Sequence, residues 1–108
     1  MNLRDFVNVL LSVTDKVYQD EAYEEPEEYI VWTMTADRSL RADNGESECA
    51  KRINVRIFTA DPFTQLPDKL KAALNEYDIA YEDMQYQFVG ETKSGLKYGI
   101  YSTFCEVT

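Results

Sequence analysis

The chain has 108 residues, 44% of them hydrophobic, which suits one domain (residues 1–108) with a packed core and excludes a disordered chain. Its 20 acidic and 11 basic residues give a net charge of −9, which disfavours DNA and anionic lipid but permits a basic partner, or a passage through which nucleic acid slides. It contains no histidine, which removes the commonest general base and metal ligand.

The first predicted element is an amphipathic helix capped by Asn2. Its apolar residues recur at helical spacing, and we expect the helix to end near Val17–Gln19 and to cover one face of a sheet. The apolar positions are Leu3, Phe6, Val7, Leu10, Val13 and Val17.

An acidic segment, Asp20–Glu28, follows the helix and places six carboxylates around Pro26. Paired carboxylates can bind Ca²⁺ or perform acid–base chemistry, but this segment lacks the spacing of a calcium loop. We interpret it as a solvated acidic loop.

The segment Tyr29–Ala36 is rich in β-branched and aromatic residues and predicts a strand. Both of its alternating faces are apolar, which favours a central strand covered on both sides. Trp32 could stack on a ligand, but such a tryptophan is more often a core or interface residue.

The polar segment Asp37–Glu48 contains Asn44-Gly45, a strong turn signal, and predicts a long hairpin with a mobile tip. Arg38 and Arg41 either contact a partner's carboxylates or balance nearby acids. The strand Cys49–Thr59 follows, with Ile53, Val55 and Ile57 on its buried face. Its wet face carries Arg52 and Arg56 and is a candidate docking face.

A short second helix, with apolar positions from Leu66 to Tyr77, is predicted after Asp61-Pro62. Two last strands, Ile79–Val89 and Leu96–Val107, are joined by the loop Gly90–Gly95. Tyrosines in this hairpin could stack on nucleic-acid bases, but the acids among them favour cross-strand pairs or a subunit interface. The tyrosines concerned are Tyr81, Tyr86, Tyr98 and Tyr101.

These elements, in the order α-β-β-α-β-β, predict an α+β fold. We expect an antiparallel or mixed sheet of about four to five strands, with two helices packed on one face. Without an export signal or an apolar run of about 20 residues, we expect assembly in a reducing cytoplasm, with Cys49 and Cys105 as free thiols.

Sequence motifs for catalysis are absent. The chain has no G-x-S-x-G, no phosphate-binding glycine loop and no G-x-G-x-x-G, and no pair of acids is singled out by its spacing. We therefore predict that the protein is not an enzyme and uses no cofactor or metal.

The order of segments resembles the tail terminator (tail-completion, head–tail joining) proteins of long-tailed bacteriophages and prophages. The resemblance covers nearly the whole chain: a first helix, P-x-x-YIVW from Pro26, a polar hairpin, a strand ending in IFTAD, the helix LPDKLKAALNE and the closing strand GLKYGIYSTFCEV. The acidic run before Pro26 departs most from the family's usual pattern.

The resemblance implies a hexameric ring in the virion, at the tail–neck junction, that binds the tail-tube protein on one face and the head–tail connector on the other. Such a ring stops tail elongation, and DNA passes through its lumen without specific binding. On this interpretation Arg38, Arg41, Arg52 and Arg56 face partners, while Trp32, Tyr86, Tyr98 and Tyr101 lie in packing or subunit contacts. Two alternatives stay open: another ring-forming neck or tail-tube protein, and an acidic inhibitor that mimics DNA.

Overall fold

A computed structural model describes residues 2–22, 24, 26–41, 47–91 and 97–107, and of residues 36–41, 47–50, 91 and 97 it describes the backbone alone. In chain order, the described elements are α1 (Leu3–Val13), β1 (Val17–Gln19), β2 (Glu28–Arg41), β3 (Ser47–Thr59), α2 (Leu66–Glu76), β4 (Ala80–Tyr81), β5 (Gln85–Glu91) and β6 (Lys97–Val107).

The strands form one mixed sheet in the order β1-β2-β3-β6-β4, and β5 also pairs with β6 on the side away from β3. Only β1 and β2 are parallel; the other neighbours are antiparallel. The predicted α+β class is confirmed, although the described residues form a sheet of six strands instead of about four to five. None of the described helices is long and apolar enough to cross a membrane.

The two helices pack side by side on one face of the sheet, because each carries an apolar stripe that must be buried. The alternating residues of β2 and β3 supply the opposite wall, as their period-2 pattern predicted. The main core contains Phe6, Val9 and Leu10 of α1, Leu66, Leu70, Ala73 and Leu74 of α2, and Ile30, Trp32, Ile53, Val55, Ile57, Cys105 and Val107 of the sheet.

The predicted end of the first helix at Val17–Gln19 is wrong. The helix begins as predicted, with the Asn2 side chain accepting a hydrogen bond of 2.8 Å from the Asp5 N–H, but it ends at Val13. Thr14 is already extended, and the β-branched and aromatic residues after it form β1, which pairs with Ile30–Trp32. Val17 still packs against the core. Its apolar side chain lies four residues after Val13, a spacing that also fits one more turn of helix, and this led to the wrong end.

The strands β2 and β3 are longer than predicted and extend past the rest of the sheet. Their pairing runs from Glu28↔Thr59 to Arg41↔Ser47, with a bulge between Met34 and Ala36, whereas β6 pairs with β3 only as far as Lys51. Much of the predicted polar hairpin Asp37–Glu48 is therefore a two-stranded ribbon. Its turn, Asn44-Gly45, lies outside the described residues.

The predicted strand Ile79–Val89 is divided into β4 and β5. Between them the backbone leaves the ladder after Glu82, whose N–H donates to the Phe104 carbonyl at 3.0 Å. Asp83 follows directly, and aspartate is depleted in strands, which explains the break. Both short strands remain on the same edge of β6.

Candidate interaction surfaces

A second, smaller apolar cluster lies on the sheet face opposite the helices, called here the open face. Tyr29, Val31 and Tyr98 are buried in this cluster, and Phe58 packs against it. The Tyr29 and Phe58 rings are stacked with centroids 4.7 Å apart, and the Tyr98 ring meets Tyr29 edge-on at 5.9 Å. Tyr98 is thus a packing residue within the chain, since almost none of its surface is exposed.

The acidic segment is tied to this cluster at its end. The Tyr98 hydroxyl donates to the Pro26 carbonyl, and the Ala60 N–H donates to the Glu27 carbonyl at 2.9 Å. The Glu28 carboxylate accepts hydrogen bonds from the hydroxyls of Thr59 and Thr64. Glu28 therefore belongs to strand β2 and is not part of a solvated loop.

Arg52, one of the predicted partner-facing arginines, is engaged within its own chain. Its guanidinium forms an ion pair with Glu82 at 3.0 Å and lies 4.3 Å from the centre of the Phe104 ring. Both side chains of the pair are partly exposed, so the ion pair contributes little, about 0.2–1 kcal/mol. A partner could replace Glu82 at small cost, and a partner-facing role for Arg52 stays a prediction.

Arg56 lies nearer the acidic segment on the same open face. Its guanidinium is 5.7 Å from the Phe58 ring centre, and its buried Nε has no hydrogen-bond acceptor among the described residues. Asp20 and Glu21 line the same shallow depression, of about 220 Å³. A partner-facing role for Arg56 stays a prediction.

Arg38 and Arg41 stand in the part of β2 that pairs with β3 and with no other described strand. Their side chains lie outside the described part of the structure. The structure therefore does not bring them together with Arg52 and Arg56 in a single described cluster. A partner-facing role for these two arginines stays a prediction.

The other predicted packing residues occupy two kinds of site. Trp32 is buried in the main core under the helices. Tyr86 and Tyr101 face each other across β5 and β6, with ring centroids 4.8 Å apart. Tyr101 packs against the main core, whereas Tyr86 is more than half exposed.

An exposed apolar surface on β5 was not singled out from the sequence, except through Tyr86. The side chains of Tyr86, Phe88 and Val89 are 58%, 60% and 54% exposed, and we call this surface the aromatic edge. Tyr86 and Phe88 line one wall of a shallow depression of about 470 Å³, with Asp61 and Pro62 on another wall. The sequence signal for this surface was the run from residue 85 to residue 90, which contains no charged residue. Natural edge strands that face solvent usually carry charges, so an uncharged edge indicates a contact surface.

Gly99 permits the close approach of the Tyr86 ring. A Cβ at this position would lie 2.5 Å from Tyr86 Cε2. Gly99 is paired with Phe88 across the two strands, so its missing side chain leaves space that the neighbouring aromatic ring fills.

We expect Gly99→Ala to displace the Tyr86 ring and to lower the free energy of unfolding by about 0.5–1.5 kcal/mol, since the ring is exposed and can rotate away. The cost should nearly vanish when the same change is made in a Tyr86→Ala background, measured as a double-mutant cycle by chemical denaturation. An undiminished cost in that background would mean that the ring contact is not its cause.

Cys105 is a free, fully buried thiol in β6. Burial disfavours the thiolate and raises the pKa of Cys105 from 9.0 to about 12. The side chain of Cys49 lies outside the described ones. Within the described residues, no three Cys, Asp or Glu side chains are grouped so that they could hold a metal ion.

The raised pKa of Cys105 predicts a loss of stability at high pH. Between about pH 9 and pH 11 the unfolded chain releases the thiol proton while the folded chain keeps it, so the free energy of unfolding falls as pH rises. The measurement is the difference in the free energy of unfolding between wild type and Cys105→Ala at each pH, because contributions common to both proteins cancel in that difference. We expect the free energy of unfolding of wild type to fall relative to that of Cys105→Ala as the pH rises. A difference that does not change with pH would contradict this prediction.

Comparisons with known proteins reveal a similarity of fold. No family model matches the sequence, and no curated protein does. The structure is similar to a chain in the virion of the native gene transfer agent particle, with 13% sequence identity and a TM-score of 0.50. The match covers 97% of this chain and 87% of the other. The chain therefore shares the α+β fold of a virion component along almost its whole length.

Proposed function

We propose that the protein is a structural virion protein that forms a ring on the end of a phage tail tube. The observation that carries the proposal is the fold shared with a chain of a gene transfer agent virion over 97% of this chain. The tail terminator resemblance of the sequence gives the finer role: the ring stops tube elongation and presents the joining surface to the head connector.

The surfaces of the described residues support assembly more than catalysis. The depression beside the aromatic edge is shallow and lined mainly by strand and loop residues, with Asp61 as its only described acid. The aromatic edge instead offers exposed apolar area of the kind that marks protein–protein contacts. We therefore propose a non-enzymatic role.

The charge supports a lumen through which DNA slides. A net charge of −9 on each subunit would repel phosphates if part of it faces the pore. The same charge opposes association of free subunits, so uncharged surfaces must supply the contact energy. The proposed partners are the tail-tube protein, the head–tail connector and further copies of this chain, in a ring of six at the tail–neck junction.

A second candidate, another ring-forming neck or tail-tube protein, rests on the same fold similarity, because likeness to a chain of a virion particle does not distinguish one virion role from another. The experiment that separates the two is deletion of the gene from its phage or prophage. The proposal expects tails longer than wild type that do not join heads, seen by electron microscopy. Tails of normal length, or no tails at all, would favour the second candidate.

Charge reversal in the ribbon tests the partner-facing arginines. We expect Arg38→Glu with Arg41→Glu to leave the fold intact, since among the described strands this part of β2 pairs with β3 alone, beyond the rest of the sheet. The change should weaken contact with the tube or a neighbouring subunit by about tenfold or more, because like charges opposed across an interface cost several kcal/mol. Tail length and head joining in a complemented deletion strain are the measurements. Normal joined tails would refute the assignment.

A further inference from the structure

The sheet has two edges that no described strand covers. On one side, β5 pairs with β6 and, among the described residues, with no other strand. On the other side, β1 covers β2 only at Ile30–Trp32, so the rest of β2, from Thr33 onward, has β3 on one side and no described strand on the other. Open edges of this kind are templates for pairing with another chain.

The two open edges run in opposite directions. β2, β3, β6 and β5 are each antiparallel to the next, so β2 and β5 point opposite ways. A second copy placed beside the first by a rotation that preserves strand direction would therefore bring its β2 antiparallel to β5. The helices of both copies would then lie on the same face of one continuous sheet.

The side chains of the two edges also match face by face. Met34 lies on the helix face, opposite Ile53, and is half exposed. Tyr86 and Phe88 lie on that same face, opposite Tyr101 and Gly99. A methionine beside exposed aromatic rings makes favourable sulfur–aromatic contacts.

The open face is matched in polarity as well. On β2, Thr33 lies on the open face and pairs with Asn54. On β5, Gln85 and Gln87 lie on the open face and pair with Ser102 and Ile100. Pairing of the edges would thus place uncharged polar side chains beside one another. Neither residues 85–90 nor residues 29–36 contain a charged side chain, which avoids the repulsion expected between copies with a net charge of −9 each.

The position of the edges along the strands determines the stagger between copies. Tyr86 pairs with Tyr101, which pairs with Ile57, which in turn pairs with Ile30. Tyr86 and Ile30 therefore lie at the same height along the strands. Because β1 covers Ile30, the neighbour must engage β2 further along, near Met34, a shift of about 14 Å at the rise of an antiparallel strand. A stagger between successive units is what the closure of a continuous sheet into a ring requires.

We propose that the aromatic edge of β5 binds a second copy of this chain, by antiparallel pairing with β2 beyond Trp32. The contact is head to tail, so it uses both open edges of every copy, and in the proposed function successive contacts close into a ring. This inference rests on the proposed function only for ring closure. A two-fold contact between two β5 strands would leave every β2 edge open.

The test introduces one lysine on each edge. Phe88→Lys blocks the β5 edge and Met34→Lys blocks the β2 edge. Leu11→Lys, on the exposed side of α1, is the control with the same charge change. Val89→Lys is a second β5 variant in case Phe88→Lys fails to fold, and circular dichroism checks each fold. Molar mass in solution is measured for each protein and for an equal mixture of the two edge variants.

We expect wild type and Leu11→Lys to assemble beyond dimers and each edge variant to be monomeric. The mixture of Phe88→Lys and Met34→Lys should form dimers and stop there, because one intact β5 and one intact β2 remain between the two. A wild-type monomer at the highest soluble concentration would overturn the inference. So would Met34→Lys assembling like wild type, which would indicate a two-fold β5 contact, or assembly unaffected by the β5 variants.

Failure of this inference and failure of the proposed function are distinguishable. If the edge variants complement a gene deletion with tails of normal length, the ring uses other surfaces and only the inference fails. If deletion of the gene leaves tail length unchanged while the edge variants lose assembly in solution, the inference holds and the proposed function fails.

Discussion

Phe6→Ala is expected to lower the free energy of unfolding by about 3–5 kcal/mol, the range for removal of a buried phenylalanine ring. Phe6 is fully buried in the main core, where α1 meets the sheet. Truncation leaves a cavity that α1 cannot close, because its position is also held by Val9 and Leu10. Chemical denaturation measures the effect.

Leu11→Ala is the matched control in the same helix. Leu11 is 45% exposed on the outer side of α1, so its truncation should change stability by no more than about 0.5 kcal/mol. Equal losses for the two variants would mean that α1 does not cover the sheet with the face containing Phe6.

Tyr98→Ala is expected to cost a similar amount, about 3–5 kcal/mol, on the opposite face of the sheet. Its ring fills the second cluster beside Tyr29, and its hydroxyl donates to the Pro26 carbonyl. Removing the side chain should therefore also release the end of the acidic segment. Faster proteolysis near Pro26 in the folded variant is the second measurement.

Tyr98→Phe separates the ring from the hydroxyl. It keeps the packing and removes the hydrogen bond to Pro26, so we expect a loss of about 1 kcal/mol. If Tyr98→Phe were as damaging as Tyr98→Ala, the ring packing would not be the main contribution of this residue.

Periodicity in the sequence predicted the layers of the fold well. The spacing of Phe6 and Leu10 predicted a helix that covers the sheet, and the alternation of Ile53, Val55 and Ile57 predicted the buried face of β3; both are confirmed. These patterns succeed because a buried face must repeat with the period of its own element.

Features that depend on contacts between distant segments were missed. Val17 is apolar in either a helix or a strand, and only pairing with Ile30 makes β1 a strand. The ion pair of Arg52 with Glu82 joins residues distant in sequence, so alternation alone placed Arg52 on a wet face without showing what it binds.

The tyrosines illustrate the same limit. Tyr86 and Tyr98 lie in neighbouring strands and were grouped together from composition, yet Tyr98 is buried while Tyr86 is exposed on the edge. The difference arises because the Tyr98 hydroxyl reaches the Pro26 carbonyl, whereas Tyr86 lies on the edge strand β5 beside a shallow depression.

Ring formation on the tube is tested by adding the purified protein to growing tail tubes, assembled from the tail-tube protein of the same genome, and imaging the ends. We expect one closed ring at one end of each tube, and tubes that grow no further at the capped end. Tubes that lengthen at the same rate with no ring at their ends, while the protein remains free in solution, would contradict it.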